Sequence, residues 1–155
     1  MSKLVVYYSR TGRTRKVAKK IADELDCEIV SIRDRTDRSG VLGYLKSGFH
    51  TIRKVDTDIE SVGTDPGDHD LVIIGTPVWV GTMATPVRSY LGKYGKELPE
   101  VAFFSTQGDV KPQKAFKDMS ALIGKTPKAT LILKDRDVDM GRYGRELSDF
   151  LRALR

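Results

Sequence analysis

One cysteine (Cys27) and two histidines (His50 and His69) are all the thiol and imidazole groups among 155 residues. A lone thiol excludes an internal disulfide and an all-cysteine metal site, and with so few donors the sequence argues against transition-metal chemistry. No apolar run approaches the ~20 residues that a membrane-spanning helix needs, and no apolar signal core follows the first charges. The expectation is a cytoplasmic protein without membrane insertion. Repeats, low-complexity tracts and linkers are also missing, so residues 1–155 read as one domain, long enough to bury a core.

Charge is plentiful, with a net value of +6, but it is unevenly placed. Residues 1–54 carry 13 basic and 6 acidic groups, residues 55–110 carry 3 and 9, and residues 111–155 carry 11 and 6. Basic flanks of this kind attract nucleic acid, acidic proteins or phosphate-bearing ligands. The chain has no DNA- or RNA-binding motif, and its basic residues alternate with acidic ones, so they read as a solvated surface with no nucleic-acid role.

Strand-like and helix-like segments alternate almost to the end. Strands are predicted at 3–8, 28–32, 70–75, 100–106 and 128–133, and helices at 13–25, 41–53, 85–94, 112–123 and 142–154. In the last helix Leu147, Phe150, Leu151 and Leu154 form an i, i+3, i+4, i+7 stripe. Segments 70–75 and 128–133 are nearly continuous apolar runs, as expected of parallel strands covered on both faces. The stretch 54–69 reads as loop. Five βα units predict an α/β fold: a doubly wound five-stranded parallel sheet, order 2-1-3-4-5, with helices on both faces.

Ligands of such sheets bind beyond the carboxyl ends of the strands. After the first strand comes Ser9-Arg10-Thr11-Gly12-Arg13-Thr14, three hydroxyls and a glycine leading into a helix. Hydroxyls donate to phosphate oxygens, glycine lets the backbone approach, and the free N–H groups of the helix start face the anion. Arg10, Arg13 and Arg15 add charge. A helix cap needs one hydroxyl, and the surplus favours a phosphate site over a plain cap. After the third strand comes Thr76-Pro77-Val78-Trp79-Val80-Gly81, with the only tryptophan, and after the fourth Ser105-Thr106-Gln107-Gly108-Asp109. The second and fifth strands are followed by charged stretches, 33–38 and 134–137.

These three loops resemble the flavin-binding segments of flavodoxins. "YYSRTGRTRKVA" is similar to the family's phosphate loop, Ser/Thr-x-Thr-Gly-x-Thr after the first strand, and "GTPVWVGTMATPVRSYL" and "FFSTQGD" are similar to the second and third segments. The element order agrees over nearly the whole chain. The resemblance implies FMN, with its phosphate on Ser9 to Thr14 and its isoalloxazine between the 76–82 and 105–109 loops. Trp79 would contact the ring, and Val80 and Gly81 would face its N5 edge. In flavodoxins a peptide there rotates as the ring takes up an electron, and Gly81 makes rotation sterically easy.

The chain departs from that pattern in two places and carries one addition. The third loop lacks the tyrosine that often covers the second flavin face. The chain is basic where many flavodoxins are acidic, although Asp65, Asp68, Asp70 and Asp109 fall in its acidic middle and would lower the potential of the last electron step if they lay near the ring. Residues 40–54 (GVLGYLKSGFHTIRK) are an addition with an apolar face at Leu42, Leu45, Phe49 and Ile52, suited to packing or to a dimer surface.

Three other signals fail on physical grounds. Cys27 to Arg33 matches Cys-x5-Arg, but a strand at 28–32 would hold thiol and guanidinium about 20 Å apart, where a tight loop is needed. "IGKT" at 123–126 has Met119 where a Walker loop requires glycine, and it precedes a strand where that loop follows one. Phospho-acceptor carboxylates after strands one and three are replaced by Tyr8-Ser9 and Gly75-Thr76. No loop supplies a nucleophile, general acid or metal set. The expectation is therefore an FMN electron carrier between redox partner proteins, with the basic flanks steering an acidic partner surface. The alternative is an FMN-dependent oxidoreductase acting on a quinone, NAD(P)H or a porphyrinogen.

Overall fold

The computed structural model describes residues 1–35, 59–60, 63–108 and 113–155. The expected helix 41–53, the addition at 40–54 and Asp109 lie outside these.

β1 (Lys3–Tyr7) leads through a short loop into α1 (Arg13–Leu25) and then β2 (Glu28–Ser31). β3 (Leu71–Trp79) turns back as β4 (Thr82–Met83) before α2 (Thr85–Tyr94). β5 (Glu100–Gln107), α3 (Ala115–Ile123), β6 (Thr130–Lys134), α4 (Asp135–Met140) and α5 (Gly144–Leu154) complete the chain. The order across the sheet is β2-β1-β3-β5-β6, all parallel, with β4 paired antiparallel to β3 alone. With that hairpin strand set aside, this is the expected order of five parallel strands.

Strand alternation divides the core into two layers. Val5 and Tyr7 of β1, Leu71 and Ile73 of β3, and Ala102 and Phe104 of β5 pack under α1 and α5. Leu4, Val6, Val72, Ile74, Val101 and Phe103 pack under α2 and α3. α1 presents Val17, Ala18, Ile21 and Ala22, and α5 presents the stripe Leu147, Phe150, Leu151 and Leu154, all buried. Close packing also decides one backbone position. A Cβ built on Gly75 would stand 2.0 Å from Cζ of Phe104, so only glycine lets that ring lie flat across β3.

Three expectations need correction. β6 is an edge strand covered on one face: Leu131 and Leu133 are buried, whereas Thr130, Ile132 and Lys134 face outward. The charged stretch after the last strand, for which no helix was expected, opens the short helix α4 at Asp135, which anchors itself through buried Val138. Within 54–69, Pro66–Asp68 form a single 3₁₀ turn, and Ile59 bridges Asp34. No helix among the described residues is long and apolar enough to cross a membrane.

Candidate functional site

β1 and β3 are neighbours, yet the helix after β1 packs on one face of the sheet and the helix after β3 on the other. The connections therefore part at the carboxyl ends of these two strands and open a crevice between them. The loop 8–12 forms one wall and the β3–β4 turn the other.

In the first wall the chain makes a tight turn, with the Gly12 amide donating to Ser9 Oγ at 3.0 Å. Gly12 itself is left-handed, with φ 102°, a conformation that favours glycine. The N-cap of α1 is Gly12, which has no side chain to offer, so the N–H groups of the first turn are not taken up by a Ser or Thr hydroxyl at that position. Thr11 is exposed, and Ser9 and Arg10 are half-buried. Thr14 is buried, and its hydroxyl meets that of Thr106 at 2.8 Å. Such a pair shares one proton and leaves the other free to donate. Arg13 turns away from the loop: its guanidinium forks onto both oxygens of Asp139 at 2.9 and 3.0 Å and lies 3.7 Å from Asp135. The hydrogen bond from Arg13 holds Asp139 below the ordinary carboxylate range, while partial burial pushes Asp135 up. The bidentate contact with Asp139 raises the arginine in turn.

The second wall is a two-residue turn. Trp79 pairs with Thr82, and both residues between them are left-handed, Val80 at φ 50° and Gly81 at φ 77°. Positive φ at both central positions defines a type I′ turn. For Gly81 this costs little. For β-branched Val80 it stores about 1–2 kcal/mol of strain, and the side chain is 60% exposed at the tip. Trp79 is half-buried, its ring edge-on to Tyr8 of the opposite wall with centroids 5.6 Å apart. The turn is anchored from beneath. Gly81 O accepts from the Lys114 amide at 2.8 Å, and the Thr82 hydroxyl donates to Asp118 Oδ2 at 2.5 Å, both partners belonging to the start of α3. The Thr76 hydroxyl donates to Pro77 O and accepts from the Ala84 amide, tying the hairpin base to the entrance of α2. Val78 is half-buried opposite Met83.

β5 ends beside this turn, pairing Ser105 with Thr76 and Thr106 with Pro77. Ser105, Thr106 and Gln107 are buried and Gly108 is exposed. Among the described residues Ser105 Oγ finds no hydrogen-bond partner, an expensive state for a buried hydroxyl.

No protein-family model matches the sequence. Solved structures do. A flavoprotein from Lactobacillus acidophilus, crystallised in complex with FMN, is 26% identical, with 90% of this chain and 97% of that one covered and a TM-score of 0.71. A flavodoxin from the domain Archaea is 14% identical, with all of both chains covered and a TM-score of 0.51. An NADH:FMN oxidoreductase in its apo form is 11% identical, with 99% and 87% covered and a TM-score of 0.56.

The fold is flavodoxin-like.

Within this flavodoxin-like frame the described residues of the three expected segments come to one end of the sheet, although their side chains do different things. Ser9, Thr11 and Gly12 remain at the crevice; Arg13 serves the α1–α4 contact, and Thr14 and Thr106 join the two loops from within. The acidic cluster does not follow them. Asp70 accepts from the Ser2 amide ahead of β1, and Asp65 caps the 3₁₀ turn ahead of β3, with Asp68 in that same turn. All three sit at the amino ends of the strands, remote from the crevice. Tyr8, Lys114 and Asp118 were not singled out from sequence. Tyr8 reads as one more strand residue, and nothing in the spacing of α3 shows that its first turn meets the Trp79 hairpin.

Proposed function

We propose that this chain binds FMN in the crevice and carries single electrons between redox partner proteins. The observation that carries the reading is the crevice itself: a glycine-opened, uncapped helix start faces, across the topological switch point, a strained turn that holds the only tryptophan.

The residues present fit FMN. The hydroxyls of Ser9 and Thr11 and the first-turn amides of α1 would hold the phosphate, with the spare proton of the Thr14–Thr106 pair behind them. Arg13 is committed to Asp139, so amide and hydroxyl donors do this work. Trp79, Val80, Gly81 and the end of β5 would hold the isoalloxazine, and the orphaned Ser105 hydroxyl is a donor in search of an acceptor at that end. When bound, FMN supplies reversible one- and two-electron chemistry. The protein's part is to orient the ring, keep one edge open and fix the polarity around it. Exposed Arg15, Lys16, Lys19 and Lys20 on α1 support steering of an acidic partner through a small, transient interface.

A second reading, an FMN-dependent oxidoreductase, is favoured by one feature: Ser105–Gly108 offer no aromatic ring, which would leave a flavin face for a substrate to stack on. Stepwise reductive titration of FMN-loaded protein tests the choice. Long-wavelength absorbance that rises and then falls supports the carrier. Direct bleaching together with steady NAD(P)H oxidation replaces it with the reductase.

A further inference from the structure

The Trp79–Thr82 turn is held in an unfavourable conformation by a helix that follows a different strand. We infer that Asp118 is a positioning residue for the flavin-facing turn, acting through the Thr82 hydroxyl. The inference rests on the FMN reading for its functional consequence, but its structural half is independent of any ligand.

Val80 would relax toward negative φ if the turn were free, because an L residue with a branched Cβ crowds its own carbonyl in the left-handed region. Two bonds oppose this, one on Gly81 within the turn and one on Thr82 directly after it. The Lys114 amide holds Gly81 O, and Asp118 Oδ2 holds the Thr82 hydroxyl, which is itself buried. Trp79 is paired directly to Thr82. Displacement of Thr82 therefore moves the indole and undoes its edge-on contact with Tyr8. Asp118 is half-buried on the first turn of α3, where the helix dipole also favours a negative charge. Its carboxylate accepts one strong hydrogen bond from Thr82, and an amide oxygen at the same place could accept it too. Geometry rather than charge is thus the property that matters.

The test is a double-mutant cycle on the full chain with Thr82→Val, Asp118→Ala and both together, plus Asp118→Asn and Thr82→Ser as conservative variants. Two readouts are taken. Trp79 is the sole tryptophan, so acrylamide quenching of its fluorescence in FMN-free protein reports the turn directly. FMN affinity is read by quenching of flavin fluorescence. The expected result is a rise of about twofold in Trp79 accessibility and a fall of about tenfold in FMN affinity for each disruptive variant, since loss of a partly buried hydrogen bond is on that scale. The double variant should be little worse than either single one, because the two side chains form one bond. Asp118→Asn and Thr82→Ser should stay near wild type. Unchanged quenching and affinity in Thr82→Val and Asp118→Ala would overturn the inference, as would additive losses in the double variant or an Asp118→Asn as impaired as the alanine. If Thr82→Val or Asp118→Ala fails to fold, Thr82→Ala and Asp118→Ser, which also remove the bond, take their places in the cycle with the same expected losses, and wild-type behaviour of both would overturn the inference. Failure of the wild-type chain to bind FMN would sink the functional reading alone, leaving the Trp79 measurement to decide the positioning role.

Discussion

Val80→Asn should make the FMN-free chain more stable while making it a poorer FMN binder. Val80 occupies the first central position of a type I′ turn at φ 50°, followed by Gly81 at φ 77°. Asn-Gly is the preferred pair for that turn, because asparagine tolerates the left-handed region that a β-branched residue resists. Relief of the strain is worth ~1–2 kcal/mol. The opposing term is small: the side chain is 60% exposed, so the apolar burial it loses amounts to about 0.5 kcal/mol on the usual area scale. The net expectation is a gain of about 1 kcal/mol, or roughly 2–4 °C in melting temperature for a chain of this size. Urea and thermal melts of FMN-free protein measure it. The valine would then be retained for the ligand, and FMN titration of the same variant should show weaker binding. A Val80→Asn protein that melts below wild type would refute the reasoning, because the turn would then not be strained at that residue.

Three other perturbations probe different parts of the account. Gly75→Ala drives a methyl into the Phe104 ring and should cost about 1–3 kcal/mol by urea melts, as overpacked cores do; an unchanged midpoint would mean that β3 and β5 are not in this register. Carboxyl NMR across a pH titration should find Asp139 titrating below its ordinary value and Asp135 above. The Arg13–Asp139 contribution is accordingly present above the ordinary carboxylate pKa and fades as pH falls through the depressed one, so wild type and Arg13→Ala should converge in melting temperature in acid. Arg13→Ala should also leave FMN affinity nearly intact at neutral pH. Cys27 is half-buried and its thiol pKa is raised chiefly by desolvation, so alkylation at neutral pH should be slow. Folding stability should fall as pH rises from the ordinary thiol value toward the raised one, and a Cys27→Ser chain should lose that alkaline slope.

The parts of the fold legible in the sequence were those where one local signal and one burial pattern coincide. α1 begins and ends where the apolar spacing of Val17, Ala18, Ile21 and Ala22 places it, and the stripe of α5 is equally plain. The β3–β4 hairpin was hidden by Pro77, which reads as the end of a strand. It is tolerated because β1 stops opposite Gly75, so no residue of β1 pairs with Pro77. α4 was hidden by composition: Asp-Arg-Asp-Val-Asp-Met has one buried apolar residue and no period to read. Ile132 made β6 look covered on both faces although it is exposed at the sheet edge. In the candidate site, residue types and loop order were visible, but pairing was not. The partners of Arg13, Thr14 and Thr82 lie 126, 92 and 36 residues away along the chain, and no local pattern encodes such distances.

The most direct test of the central claim is a side-by-side titration of the FMN-free chain with FMN and with riboflavin, which lacks only the phosphate, followed by flavin and Trp79 fluorescence. FMN should quench both signals with micromolar or tighter affinity, and riboflavin should bind at least about tenfold more weakly if the hydroxyls and first-turn amides at the start of α1 hold the phosphate. Equal affinity for the two ligands, or no quenching by either, would contradict it.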